Sequence, residues 1–167
     1  MLIKRIWAMP NKETFKIKPI KELLDRYIKS SNWIDPFCGK SEINCLKNDL
    51  NLDISVRYHM DAYSFCKKFK DKKFDGALFD PPYSPRQIKE CYNKIGLSLS
   101  FEDTQAKFWS RIKDILAKMI IKSGYVISFG WNSGGFGLNR GFKIVEILLV
   151  PHGGNHNDTI VVVEKKC

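Results

Sequence analysis

Apolar and polar positions alternate along the chain in two periods. Ile20, Leu23, Leu24, Tyr27 and Ile28 recur at the spacing of one buried helix face, with Pro19 suited to the first turn. Short apolar runs follow. Trp33-Ile34 leads into Asp35-Pro36-Phe37-Cys38-Gly39, residues 43–47 lead into Asn48-Asp49, residues 54–59 into Met60-Asp61, and Phe74–Phe79 into Asp80. Each run reads as a strand ending in an acidic residue. Residues 62–69 read as a short helix capped by Asp61. Ser84-Pro85 begins a helix whose buried face is Ile88, Cys91, Tyr92 and Ile95. A longer helix carries Phe108, Ile112, Ile115, Leu116, Met119 and Ile120 on one face and stops at Gly124. Residues 125–131, Phe142–Val150 and 159–164 read as strands, the last two joined by a polar, Gly-rich turn over 151–158.

Strands that alternate with helices indicate a mostly parallel α/β sheet, and the final pair, with no helix between them, an antiparallel hairpin at one edge. A chain of 167 residues with no linker-like tract is expected to be one domain, 1–167. In open α/β sheets ligands bind beyond the carboxyl ends of the strands. Asp35, Asp49, Asp61 and Asp80 therefore point to one expected site.

Composition adds a charge. Lys and Arg number 28 against 18 Asp and Glu, a net charge of +10. That excess favours polyanions, nucleic acid first, although a solubility role fits it equally. The run Lys67, Lys68, Lys70, Lys72 and Lys73 reads as a solvated helix end or as a phosphate-binding element. The cysteines are odd in number, five, and lack a C-x-x-C pair, and His152 and His156 have no partners to complete a metal site. No membrane span or signal-peptide pattern is present. A reducing, cytoplasmic setting without a metal or membrane partner is expected.

Asp80-Pro81-Pro82-Tyr83 carries the candidate chemistry. Consecutive prolines fix the backbone and remove two N–H donors. The Asp80 carboxylate and Pro81 carbonyl can then accept hydrogens from a substrate amine, with Tyr83 offering an aromatic face to a base. Trp131 and Asn132 end a neighbouring strand and line either a target pocket or, for Trp131, the core. Arg86 and the lysine excess are candidates for phosphate contact.

The Asp-Pro-Pro-Tyr element resembles the signature of the amino-methyltransferases that modify the exocyclic nitrogen of adenine or cytosine. The resemblance implies a Rossmann-like, S-adenosyl-L-methionine-dependent methyltransferase fold and covers nearly the whole chain. Phe15-Lys16-Ile17-Lys18-Pro19 resembles the segment that lines the methionine end of the cofactor. Asp35-Pro36-Phe37-Cys38-Gly39 resembles the Asp-Pro-Phe-x-Gly cofactor loop. By the same resemblance Asp49 holds the ribose hydroxyls and Asp61-Ala62 meets the cofactor adenine. The order is similar to the gamma arrangement of the family. The Trp-Ala-Met-Pro start and the Asp-Pro-Pro-Tyr-Ser-Pro-Arg-Gln segment resemble the small adenine-specific DNA methyltransferases of phages and mobile elements.

Two departures stand out. Only about a dozen residues separate Asp35 from Asp49, near the minimum for a parallel crossover, so the first helix must be very short or irregular. A separate target-recognition domain is also missing, which leaves room for a specificity partner or a homo-oligomer. Methylation of RNA, of single strands or of cytosine N4, a small-molecule acceptor, and a non-catalytic module that binds cofactor or nucleic acid stand as alternatives to methylation of adenine N6 in DNA.

Overall fold

The computed structural model describes residues 1–82 and 106–167. Within them the strands are β1 (Leu2–Arg5), β2 (Trp33–Asp35), β3 (Leu46–Lys47), β4 (Phe74–Phe79), β5 (Ile120–Gly130), β6 (Phe142–Val150) and β7 (Thr159–Lys166). The helices are α1 (Lys18–Tyr27), α2 (Ala62–Lys68) and α3 (Ala106–Met119). The sheet runs β1-β6-β7-β5-β4-β2-β3. Neighbours pair in parallel except β7, which is antiparallel to both β5 and β6. No helix among the described residues is long and apolar enough to cross a membrane.

Side-chain alternation along the strands builds a core on each face. On one, Ile20, Leu23 and Leu24 of α1 pack against Trp33, Leu78, Ile127 and Val161. On the other, Phe65 of α2 and Ile112 and Leu116 of α3 pack against Ile34, Ala77, Phe79 and Val126. Gly76 in β4 is needed for closeness, since a Cβ there would meet the Trp33 ring at 2.5 Å.

Several sequence expectations change. The hairpin of β6 and β7 is not at an edge: β7 lies between β5 and β6, and β1, not foreseen, forms the outer strand beside β6. Residues 54–59 are not a strand. Only Tyr58 bridges to Asn48, because Ile54 and Val56 spend their N–H groups on Asn51 and Ile54 in local turns. The run 43–47 contributes only Leu46 and Lys47 to pairing. The long helix stops at Met119, not Gly124, and Ile120 already pairs with Phe74. Gly124 instead allows a close pass beside the Asp75 carbonyl, 2.7 Å from where a Cβ would sit, within the irregularity that separates the Ile120 and Tyr125 pairings. The helix expected from Ser84-Pro85 through Ile95 lies outside the described residues.

β5 and β6 flank β7 and run parallel to each other, so residues 131–141 must cross one face of the sheet between them. That crossing contains a single 3-10 turn, Leu138–Arg140, where a helix would ordinarily supply the backbone bonds. Side chains supply them instead. The buried Glu164 carboxylate accepts the Phe136 and Gly137 N–H groups, Lys113 donates to the Gly135 carbonyl, and Arg140 donates to the Phe136 carbonyl.

Candidate active site

β2 and β4 are adjacent and parallel, which brings Asp35 and Asp80 together at their carboxyl ends. Asp35 is fully buried. Its Oδ1 accepts the Phe37 N–H at 3.1 Å, while Oδ2 has no partner. Burial pushes its carboxyl up to about 8; the Phe37 N–H opposes this, and the charges of Asp80 and Asp49 add to it. Asp80 itself is half-buried and Pro81 is buried, with Pro82 partly exposed. Tyr83 and Arg86 lie outside the described residues.

The segment after β2 has no helix, where a very short or irregular one was expected; turns and side chains hold it. Asn48, nearly inaccessible, is its hub. Its side-chain amide donates to the Pro36 carbonyl at 3.1 Å and the Met60 carbonyl at 2.9 Å, and its Oδ1 accepts the Met60 N–H at 2.9 Å. Asp49 Oδ2 accepts the Gly39 N–H at 2.7 Å, and its Oδ1 accepts that of Asn51 at 2.8 Å. Gly39 has φ +50°, a left-handed backbone with open space around a would-be Cβ, so its glycine serves conformation. Cys38 is buried, and burial, then Asp35 and Asp49, push its thiol up to about 12, which removes it as a nucleophile.

Asp61 caps α2, accepting the Ser64 N–H at 3.0 Å, and Ala62 is buried behind it. The Phe37 ring meets Phe79 edge-on at 5.5 Å and Trp109 at 5.6 Å, so the loop after β2 packs directly on the residue before Asp80. Phe15 reaches the same end of the sheet, its ring 4.9 Å from Phe129 near the close of β5. Lys16 pairs with Glu13 and with Glu42 of the loop after Gly39. Lys18 is exposed and Pro19 buried, and both line a surface hollow shared with Ile6, Trp7, Ala8 and Met9. Trp131 is not a core residue; it is 44% exposed at the end of β5, beside an exposed Asn132 whose Oδ1 accepts the Gly134 N–H.

Two features were not foreseen. Asn48 carried no periodic signal, since a buried amide and a turn amide look alike in sequence. His152 proved structural: its ring bonds the Ala8 carbonyl and the Thr159 hydroxyl, while residues 153–158 are exposed. The lysine run over 67–73 lies at the starting end of β4, opposite Asp80.

No family model and no curated protein matches the chain in sequence. Among solved structures, TrmN from Thermus thermophilus is similar at a TM-score of 0.56 and 14% identity, over 90% of this chain and 49% of that one. The chain thus spans about half the length of TrmN. SMU.1697c from Streptococcus mutans, described as a candidate methyltransferase and solved in complex with SAH, is similar at a TM-score of 0.55 and 15% identity, over 95% of this chain and 100% of that one. A candidate rRNA-methylase from Clostridium thermocellum has a TM-score of 0.55 at 10% identity, over 94% and 100% of the two chains. The mostly parallel seven-stranded sheet, with β7 antiparallel between β5 and β6, is the Rossmann-like fold of methyltransferases.

Proposed function

We propose that this chain transfers a methyl group from S-adenosyl-L-methionine to the exocyclic amine of a nucleobase, N6 of adenine in DNA. The observation that carries the reading is the Asp80-Pro81-Pro82 turn beside a fully buried Asp35 whose Oδ2 has no partner. An orphaned buried carboxyl is costly unless a ligand completes it. An ammonium would do so, turning Asp35 into a paired carboxylate, and the methionine end of the cofactor carries one. Asp49 keeps lone pairs for ribose hydroxyls beyond the two N–H groups it accepts. The residues present therefore fit the cofactor, which when bound supplies an electrophilic methyl on a sulfonium.

The rest is positioning. The exocyclic nitrogen of adenine is a weak nucleophile because its lone pair is delocalised into the ring. Asp80 and the Pro81 carbonyl accept its hydrogens, which favours a tetrahedral nitrogen with an available lone pair. The base must leave a duplex to reach them, and Tyr83 stacks on it. In this reading Trp131, exposed at the end of β5 beside β4, flanks the same opening. RNA is the second reading, favoured by the similarity to the candidate rRNA-methylase. Transfer of tritiated methyl groups to DNA, RNA and free nucleosides tests both. Asp80→Ala is expected to lower transfer by at least about a hundredfold while leaving cofactor affinity near wild type. Equal labelling by the variant would overturn the role of Asp80, and label in RNA alone would replace the DNA reading.

A further inference from the structure

The fold gathers ten lysines at one place. β4, β5 and β6 begin, and β7 ends, at the edge of the sheet opposite the Asp80 turn. α2 and α3 finish there as well. Lys67 and Lys68 close α2, and Lys70, Lys72 and Lys73 lie between α2 and β4. Lys118 ends α3, Lys122 lies in the first residues of β5, and Lys143 stands opposite Lys165 in the β6–β7 register, beside Lys166. All of these are exposed except Lys165 and Lys166, which are half-buried. Hydrogen bonds tie the segments together. Lys73 donates to the Lys118 carbonyl at 2.8 Å, and Lys166 donates to the Ala117 and Ile120 carbonyls at 2.6 and 2.7 Å. Of the nearby acids, Asp75 is already bonded to Ser30 and Asn32, and the exposed Asp71 stands among five lysines of the same run.

A solvated helix end accounts for one run of lysines. It does not account for lysines arriving from four separate stretches of chain at one edge, where their mutual repulsion opposes folding. We propose that this edge is a nucleic-acid contact surface separate from the cleft, gripping the phosphodiester backbone without reading bases. The groups are lysines, point charges suited to backbone contact that carries no sequence information. Strand spacings place β4 and β6 about 14 Å apart, so the stripe spans several phosphates of one strand. A membrane surface fits less well, because Ile121 is the exposed large apolar side chain at this edge and insertion needs an apolar face. Six residues of β4, at about 3.3 Å each, put the edge about 20 Å from Asp80. It therefore engages a different stretch of polymer from the nucleotide in the cleft, and adds residence to a small chain.

The proposal does not depend on methyl transfer, and its test reads binding alone. Anisotropy of a labelled duplex of arbitrary sequence, about 30 base pairs long, is followed against salt for wild type and for K67Q/K68Q/K70Q/K72Q/K122Q/K143Q. Lys73 and Lys166 are kept because they bond the end of α3. The variant is expected to bind at least about tenfold more weakly near 0.1 M salt, with a log–log salt slope shallower by about 0.9 for each phosphate no longer neutralised. K67Q/K68Q/K122Q, a milder change, should move the slope part of the way and serves if the larger variant does not fold. Wild-type affinity and slope in both lysine variants would overturn the proposal. So would wild-type binding to phosphatidylserine-containing vesicles with none to the duplex.

Discussion

Burial of Asp35 has a consequence measurable without any substrate. Its folded carboxyl titrates near 8 against an ordinary 3.8, so the native state keeps a proton that the unfolded chain releases. The contribution of this group to stability is therefore full below about pH 4, falls as pH rises, and reaches its floor above about pH 8. Asp35→Asn removes the titration. Without cofactor, the variant should gain on wild type across that window, by roughly a few kcal/mol at pH 8, while losing its affinity for S-adenosyl-L-methionine in calorimetry. Thermal melts of both proteins from pH 5 to 8 check this, since the difference between the curves isolates Asp35. Parallel curves would show that Asp35 is already ionised. At this scale the sequence was legible where residue type and neighbour agreed: Asp61 preceded a helical pattern and caps α2, and the short step from Asp35 to Asp49 pointed to a very short or irregular helix, where the chain forms only turns. Asn48 was illegible because its bonds reach Pro36 and Met60, each twelve positions away.

Among the elements, the crossing from β5 to β6 has the most to lose from a single change. Its backbone amides at Phe136 and Gly137 are sealed under α3, and Glu164 on β7 accepts both. Lys113, its pKa lowered by burial and by Arg140, faces the same carboxylate. Glu164→Ala strands two donors and leaves the lysine without its nearby opposite charge, at a cost of about 3–5 kcal/mol. Glu164→Gln keeps one acceptor oxygen and should cost roughly half as much. Urea midpoints of the two variants measure the order; an Ala variant within about 0.5 kcal/mol of wild type would mean the amides find other acceptors. Elements were readable when their own residues carried the period, as in β6, whose limits Phe142 and Val150 match the apolar run. β1 was not, because four residues, Leu2–Arg5, pair with a strand more than 140 positions later and carry no alternation of their own. Residues 54–59 erred the other way: a strand-like composition took local turns, with the Ile54 and Val56 N–H groups bonded to Asn51 and Ile54, and Tyr58 accepts the Asp49 N–H.

Among the described residues, the lysine edge and the proposed site lie at opposite ends of the strands. The end where β2 and β4 finish carries Asp35, Asp49, Asp61 and Asp80, and of the cations near it Lys16 pairs with Glu13 and Glu42, and Lys47 bonds the Ser41 carbonyl. Ten lysines gather at the far edge. Ligands at the two ends should therefore respond differently to salt. Buried, short-range contacts such as those of Asp35 are weakly screened, whereas phosphate contacts release counterions. Raising salt from about 50 to 200 mM should change S-adenosyl-L-methionine affinity by less than about twofold. Over the same range duplex affinity should fall by about a thousandfold or more if six or more phosphates are contacted. Calorimetry of the cofactor and anisotropy of the duplex, run in the same buffers, compare the two directly. A cofactor affinity that falls in step with the duplex would mean that the acidic end, not the lysine edge, governs how this protein feels ionic strength.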